Sequence, residues 1–194
     1  MKNLKGSKTA ENLMKAFAGE SQARMRYTFY AKTAGKEGYR QIEEIFLETA
    51  ENERMHAKLF YKHLLAAMNG EPLNIQAAYP VALDTTVKNL EYAANGEKEE
   101  WSSLYPEFAR IAEEEGFSEV ARTFKGIATV EKRHETRYRK LLDNVTNKRV
   151  FKKERKVMWK CRECGFIFEG NEAPDKCPVC DHPREYFEVF VENY

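Results

Sequence analysis

Apolar residues recur at the three- and four-residue spacing of amphipathic helices through four long segments of the chain. The pattern predicts helices over residues 8–35, 38–67, 83–115 and 118–145. Gly35 and Gly38 interrupt the first pair of segments and Gly116 interrupts the second pair, so each pair should form an antiparallel hairpin with a short turn. The sequence therefore predicts a mainly α protein built on a four-helix bundle.

The connection between the two hairpins is longer than the turns within them. Residues 69–82 contain Pro72 and Pro80 and have no helical period. A linker of about fourteen residues reaches about 46 Å when extended, and a helix of about 29 residues is about 44 Å long. One crossover along the whole bundle is therefore feasible, and this is the topology of ferritin-like bundles.

The chain changes character after Asn147. Residues 148–156 form a basic run that we interpret as a solvated linker, and residues 157–194 are short aromatic-rich stretches separated by turn residues. A segment of about 40 residues seldom folds without a metal or disulfides. We therefore expect a bundle domain over 1–147, a linker over 148–156, and a small metal-stabilised β domain over 157–194.

Overall charge and composition exclude several classes of partner. Lys and Arg total 32 against 31 for Asp and Glu, so the net charge of +1 gives no reason to expect nucleic acid or an anionic membrane. No apolar run approaches the roughly 18 residues of a membrane span, and residues 1–13 lack the apolar core of a secretory signal. With all cysteines between Cys161 and Cys180, we expect a soluble cytoplasmic protein.

Four glutamates of the bundle have a symmetrical spacing. Two Glu-x-x-His motifs occur, at Glu53 to His56 and at Glu131 to His134. Glu20 precedes Glu53 by 33 residues and Glu97 precedes Glu131 by 34, and the midpoint of each pair falls at or beside a predicted hairpin turn. Because residues equidistant from a turn lie at the same height, all four glutamates should meet near the middle of the bundle.

These glutamates interrupt apolar faces of their helices. Leu90, Ala93 and Leu104, for example, share the predicted face of Glu97. Four carboxylates cannot stay ionised together in an apolar core unless cations neutralise them. One Glu from each of two helices, with a Glu-x-x-His from each of the other two, is the arrangement of di-iron and di-manganese bundles. The alternative is that the glutamates are surface charges and the histidines ordinary core residues, which requires four inward faces to coincide.

Three further residues of the bundle are candidates with weaker support. Glu100 lies one turn after Glu97 on nearly the same face, although alone it would be interpreted as a solvated charge. Tyr27 and Tyr105 are placed to hydrogen-bond the ligating carboxylates, but the spacing is equally consistent with core aromatic residues.

The tail contains two Cys-x-x-Cys motifs separated by twelve residues. They are formed by Cys161, Cys164, Cys177 and Cys180. Four thiolates suit tetrahedral zinc or a single iron, and the spacing does not decide between them. A structural zinc ribbon is therefore one interpretation. Aromatic residues around the motifs favour a redox iron, because burial tunes its potential.

Taken together, these segments resemble the rubrerythrin family over essentially the whole chain. The resemblance lies in Ala-Phe-Ala-Gly-Glu at 16–20, Glu-Asn-Glu-Arg-Met-His at 51–56, Gly-Glu-Lys-Glu-Glu at 96–100, Leu-Tyr-Pro-Glu-Phe-Ala at 104–109 and Glu-Lys-Arg-His at 131–134. It implies a ferritin-like di-iron domain followed by a rubredoxin-like domain. The central segment of the tail is shorter than in free-standing rubredoxins, so loop contacts do not carry over, whereas the four cysteines do.

The resemblance also implies roles for individual residues. Glu53 and Glu131 would bridge two non-haem irons. Glu97 and His134 would complete the coordination of one of them.

The second iron would be completed by Glu20 together with either Glu100 or His56. In the family one iron moves between these two alternative ligands as the redox state changes, which would make Glu100 and His56 catalytic. Tyr27 and Tyr105 would support the reaction from beside the ligands.

The activity that the resemblance implies is reduction of hydrogen peroxide to water, in defence against oxidative stress. Electrons would come from an NAD(P)H-linked reductase or a rubredoxin through the tail iron, and a head-to-tail homodimer would bring a tail near the di-iron site of its partner. Two other functions remain open: a ferroxidase or iron-handling protein, and a non-enzymatic electron carrier with a zinc-ribbon tail.

Overall fold

The computed structural model describes residues 3–193, in which a helical bundle is followed by a small sheet. The bundle consists of α1 (Lys8–Lys36), α2 (Arg40–Met68), α3 (Thr86–Glu99), α4 (Tyr105–Glu114) and α5 (Ser118–Thr146). Ser7 caps α1, since its side chain accepts a hydrogen bond from the Ala10 amide. Gly38 and Gly116 adopt the left-handed backbone conformation in the two tight turns, with φ of 79° and 83°.

The third long helix of the bundle is interrupted by a π-turn, Glu100–Leu104, between α3 and α4. The buried face of α3 includes Ala93 and Glu97, and that of α4 begins at Tyr105. Tyr105 lies eight positions after Glu97, whereas an uninterrupted α-helix returns to the same face after about seven. The extra residue corrects one expectation: Leu104 is only partly buried, and Tyr105 occupies the inward position that the pattern gave to Leu104.

The segment between α2 and α3 runs along the outside of α1, which confirms the predicted single crossover. The Tyr79 hydroxyl donates to the Lys15 carbonyl oxygen over 2.8 Å, and the Tyr30 hydroxyl donates to the Ala82 carbonyl oxygen over 3.0 Å. These contacts lie 15 residues apart on α1, about 22 Å at 1.5 Å per residue. The chain therefore travels from one end of the bundle to the other before the second hairpin begins.

The bundle has two apolar clusters with a polar layer between them. One cluster is centred on Phe60, Tyr105 and Phe124, and the other on Phe46 and Tyr138. On each long helix the candidate metal-binding residues lie between the parts of the helix that enter these two clusters. The charged groups are therefore enclosed from both ends by packed aromatic residues.

The tail is a three-stranded antiparallel sheet of β1 (Lys152–Cys161), β2 (Ile167–Glu172) and β3 (Phe187–Val189), in the order β2-β1-β3. Its first strand begins inside the basic segment 148–156. The tail contacts the first turn of α2, where the Arg40 guanidinium lies 3.1 Å from Glu185 and the Tyr39 ring stacks on Phe151. Among residues 3–193, none of the helices is both long and apolar enough to cross a bilayer.

Candidate metal centres

The centre of the bundle brings two groups of four potential metal ligands together. One group is Glu20, Glu53, His56 and Glu131, and the other is Glu53, Glu97, Glu131 and His134. Within each group the ligand atoms lie within 4.8 Å of one another, and all six side chains are buried. Glu53 and Glu131 belong to both groups. Two adjacent four-donor positions that share two carboxylates are the geometry of a dinuclear site.

The two shared carboxylates each face both histidines. The Nδ1 atom of His56 lies 2.8 Å from one oxygen of Glu53 and 2.8 Å from one oxygen of Glu131. The Nδ1 atom of His134 lies 3.2 Å from the other oxygen of Glu53 and 2.8 Å from the other oxygen of Glu131. Each carboxylate thus offers one oxygen to each side of the centre, as a bridging ligand would.

The hydrogen bonding of these side chains fits a pair of cations. Among residues 3–193, both carboxylate oxygens of Glu53 and of Glu131, and the Nδ1 atoms of His56 and His134, are buried and, despite their close approach to one another, form no hydrogen bond of normal geometry. Buried polar atoms seldom lack partners, because each such atom costs free energy. The atoms without partners all point to the shared centre and are oxygen and imidazole donors suited to iron, so the residues present fit two metal ions.

Two buried tyrosines hold the outer carboxylates. The Tyr27 hydroxyl donates to Oε1 of Glu97 over 2.5 Å, and the Tyr105 hydroxyl donates to Oε1 of Glu20 over 2.5 Å. In both glutamates the second oxygen is buried and makes no hydrogen bond, and that of Glu97 lies 3.5 Å from Nδ1 of His134. Each tyrosine therefore belongs to the aromatic core and also orients a candidate ligand, the two roles between which the spacing did not decide.

Asn52 contributes a contact that the sequence reasoning missed. Nε2 of His134 lies 3.3 Å from Oδ1 of Asn52 and donates to it. A proton on Nε2 leaves the lone pair of Nδ1 free for a metal, which is the usual arrangement of a ligating histidine. No sequence signal singles out Asn52, because it directly precedes Glu53 and lies on a different face of the helix.

Glu100, at the start of the π-turn, is half-buried and lies outside both four-donor groups.

The carboxyl groups near the centre differ in the direction in which their pKa values are shifted. Burial and the repulsion of Glu53 raise the pKa of Glu97 to about 8, and burial with repulsion from Glu131 raises the pKa of Glu20 well above its usual range. Burial and Glu97 raise the pKa of Glu100 in the same way. Burial would also raise the pKa of Glu131, but His134 and His56 outweigh it and hold that pKa at about 2.

The metal-free bundle is expected to lose stability as the pH rises from 5.5 to 8. Folded Glu97 keeps its proton up to a pKa of about 8, whereas the unfolded chain releases it near 4.5, so the folded state binds more protons across this interval and stability falls. Burial would lower the pKa of His56 and of His134, but nearby carboxylates raise these to about 10 and about 12, so both add to the fall above pH 6.5. Glu131, with its pKa of about 2, contributes nothing to it.

Chemical denaturation of the chelator-treated protein, followed by helical circular dichroism, measures this effect. The loss should approach roughly 1 kcal/mol per pH unit for each group that titrates. A Glu97→Gln variant should show a smaller decline over the same range. A metal-free protein equally stable at both pH values would contradict the proton linkage.

The tail holds its four cysteines in a compact arrangement. The sulfur atoms of Cys161 and Cys180 lie 3.7 Å apart, and those of Cys164 and Cys177 lie 3.6 Å apart. A tetrahedron with metal–sulfur bonds of about 2.3 Å has edges of about 3.8 Å, so the sulfurs fit one tetrahedral ion. Trp159 and Phe187 pack around the buried pair Cys161 and Cys177.

Comparison with known proteins agrees with both centres. The Rubrerythrin family model matches residues 11–142, and the model described as "Rubrerythrin, rubredoxin-like domain" matches residues 159–188. The chain is 61% identical to Rubrerythrin-1 of Clostridium acetobutylicum and 60% identical to rubrerythrin of Clostridium perfringens, each over 100% of both chains.

Solved structures show the same fold. A partially reduced nigerythrin superposes with a TM-score of 0.65 at 32% identity, covering 97% of this chain and 92% of that one. A bacterioferritin of Desulfovibrio desulfuricans gives a TM-score of 0.66 at 25% identity, covering 73% of this chain and 82% of that one. The chain belongs to the rubrerythrin family, whose iron is bound through a carboxylate di-iron site and a four-cysteine rubredoxin-like site, and the residues of both sites are present here.

Proposed function

We propose that the chain is a peroxidase that reduces hydrogen peroxide to water at the centre of the bundle. One observation carries the proposal: Glu53 and Glu131 are shared by two four-donor groups in a chain that also has a four-cysteine rubredoxin-like site. Two irons held there would supply both electrons to one peroxide, so the O–O bond breaks without release of a radical. The balanced reaction consumes two electrons and two protons for each peroxide and gives two waters.

The proposed ligands follow from the geometry of the two groups. Glu53 and Glu131 would bridge the metals, and Glu97 with His134 would complete one position. The contact with Asn52 keeps a proton on Nε2 of His134, so that Nδ1 is the nitrogen that would bind the metal.

The other metal position has a more variable set of candidates. Glu20 belongs to it in the structure and is held by Tyr105. His56 is in place beside it, and Glu100 would be the alternative partner. Burial and repulsion from Glu97 raise the pKa of Glu100, which favours the protonated form of this carboxyl group when no metal is bound to it.

The tail would supply the electrons. Rubrerythrins are oxidoreductases, and a four-cysteine iron that passes electrons to a peroxide-reducing site would account for the presence of both domains in one chain. We propose that an external NAD(P)H-linked reductase or a rubredoxin reduces the tail, and that a tail serves the bundle of its partner in a homodimer. A ferroxidase that releases ferric iron would have no use for such a relay.

Rapid mixing of the fully reduced protein tests the proposal. Separate anaerobic samples of the reduced protein are mixed with hydrogen peroxide or with oxygen at equal concentrations, and the oxidation of bundle and tail is followed optically. Peroxide should oxidise the protein at least about tenfold faster, a difference of roughly 1.4 kcal/mol in barrier height. Oxidation that is as fast with oxygen would reject the peroxidase and favour the ferroxidase.

A further inference from the structure

The π-turn that carries Glu100 is fastened to α5 by the residue that follows it. The indole Nε1 of Trp101 donates a hydrogen bond to Oε2 of Glu135 over 2.7 Å. The ammonium of Lys132 lies 4.8 Å from the centre of the Trp101 ring, within the range of a cation–π contact. One indole therefore makes two contacts with α5 across the helix interface.

The partners of Trp101 on α5 lie beside the candidate ligands. Glu135 directly follows His134, and Lys132 directly follows Glu131. These two contacts of Trp101, which we call the Trp101 anchor, thus join the π-turn to α5 at the height of the metal centre. Any shift of Trp101 relative to α5 would change the position of Glu100 relative to Glu131.

Glu135 is itself held in place. Its side chain is only 15% exposed, and its other oxygen accepts a hydrogen bond from Nε of Arg139 over 3.3 Å. The Arg139 guanidinium in turn donates to Oδ1 of Asn95 on α3 over 2.9 Å. The acceptor for the indole is therefore fixed between α5 and the helix that leads into the π-turn.

A π-turn needs such support because it is the less favourable backbone arrangement. π-helical segments make up well under about 1% of residues in globular proteins, so the α-helical register is the strong competitor. Relaxation of residues 100–104 into that register would rotate Glu100 and the residues that follow it. A fixed Trp101 opposes this rotation, since the indole would have to leave both Glu135 and Lys132.

We propose that the hydrogen bond from Trp101 to Glu135 is a positioning contact that fixes Glu100 beside the second metal position, from which its carboxylate can replace His56 as a ligand. The inference rests on the proposed role of Glu100 as a ligand. Trp101 and Glu135 act only through the backbone of the π-turn and touch neither metal nor substrate. Loss of the contact lowers the metal affinity of the second position, beside Glu100. It leaves the metal affinity of the position formed by Glu97 and His134 unchanged.

Metal binding measures this without any peroxide turnover. The full chain, with iron retained in the tail and metal removed from the bundle, is titrated calorimetrically with Co²⁺ under anaerobic conditions. Loss of an outer partner typically costs about 10- to 100-fold in metal affinity, so Trp101→Phe should weaken the second binding step by about tenfold. The first step should keep its affinity.

Three further variants make the test specific. Glu135→Gln keeps an acceptor oxygen and should retain most of the second-step affinity, whereas Glu135→Leu should lose it as Trp101→Phe does. Glu113→Gln removes the contact of 2.6 Å between Glu113 and Lys125, another link between α4 and α5, and should change neither step.

The decisive comparison is made in a Glu100→Gln background. If the anchor acts through Glu100, Trp101→Phe adds no further loss to that background. A loss that persists there, an equal loss in both steps, or unchanged binding in a folded Trp101→Phe protein would overturn the inference. Unchanged binding in Glu100→Gln itself would instead reject the proposed ligand role of Glu100.

Discussion

Replacing Glu131 with glutamine is expected to eliminate the paired metal site while leaving the tail iron in place. Glu131 presents one oxygen to each histidine, so both metal positions lose a carboxylate at once. The substitution keeps the volume of the side chain but removes its charge. Both Co²⁺ binding steps of the bundle should weaken by more than the roughly 10- to 100-fold that removal of an outer partner costs, and peroxide reduction should fall to background.

Metal analysis, calorimetry and peroxide turnover measured on one preparation check this expectation. Glu119→Gln is the matched control, because Glu119 lies on the same helix, is exposed and pairs only with Arg122 among the described ion pairs. That variant should behave like the unmodified protein. Retention of two tightly bound metals in a folded Glu131→Gln protein would rule out the bridging role.

Replacing Cys177 with serine is expected to lower turnover driven by an external electron donor by at least about tenfold, without slowing the oxidation of a chemically reduced bundle. Cys177 is fully buried in the tail, and its sulfur lies 3.6 Å from that of Cys164. A tail of this size depends on its metal for folding, so loss of one thiolate should cost both the iron and the sheet. The red cysteinate absorption should disappear.

Two experiments distinguish the contribution of the tail from that of the bundle in this variant. Steady-state peroxide reduction with NAD(P)H and a reductase should drop by at least about tenfold, that is by roughly 1.4 kcal/mol or more in effective barrier. A single turnover of the dithionite-reduced bundle with peroxide should proceed at an unchanged rate. Normal steady-state turnover without tail iron would show that electrons reach the bundle by another route.

The layout of the bundle could be predicted from the sequence because it depends on regular spacing. Helical periodicity defined the long segments, and the glycines marked the turns. Glu20, Glu53, Glu97 and Glu131 could be placed at one height from their distances to those turns, and the structure brings them together. Charge within an apolar stripe is a strong signal, since burial of a carboxylate needs a compensating cation.

The remaining features depend on departures from that regularity. Periodicity assumes one helix type throughout, so it could not predict a π-turn, and it therefore placed Leu104 where Tyr105 lies. Asn52 and Trp101 lie beside predicted ligands in the sequence but act on another helix. Contacts between two helices depend on how each helix is rotated about its axis and on the distance between the axes. Residue spacing along one segment predicts neither quantity.

The crossover along α1 divides the metal donors evenly between two hairpins. Glu20, Glu53 and His56 come from the first hairpin, and Glu97, Glu131 and His134 come from the second. Each four-donor group draws on both, so neither half of the bundle can assemble a complete coordination sphere alone. Bound metals would therefore crosslink the two hairpins, which are otherwise connected covalently only by the crossover segment.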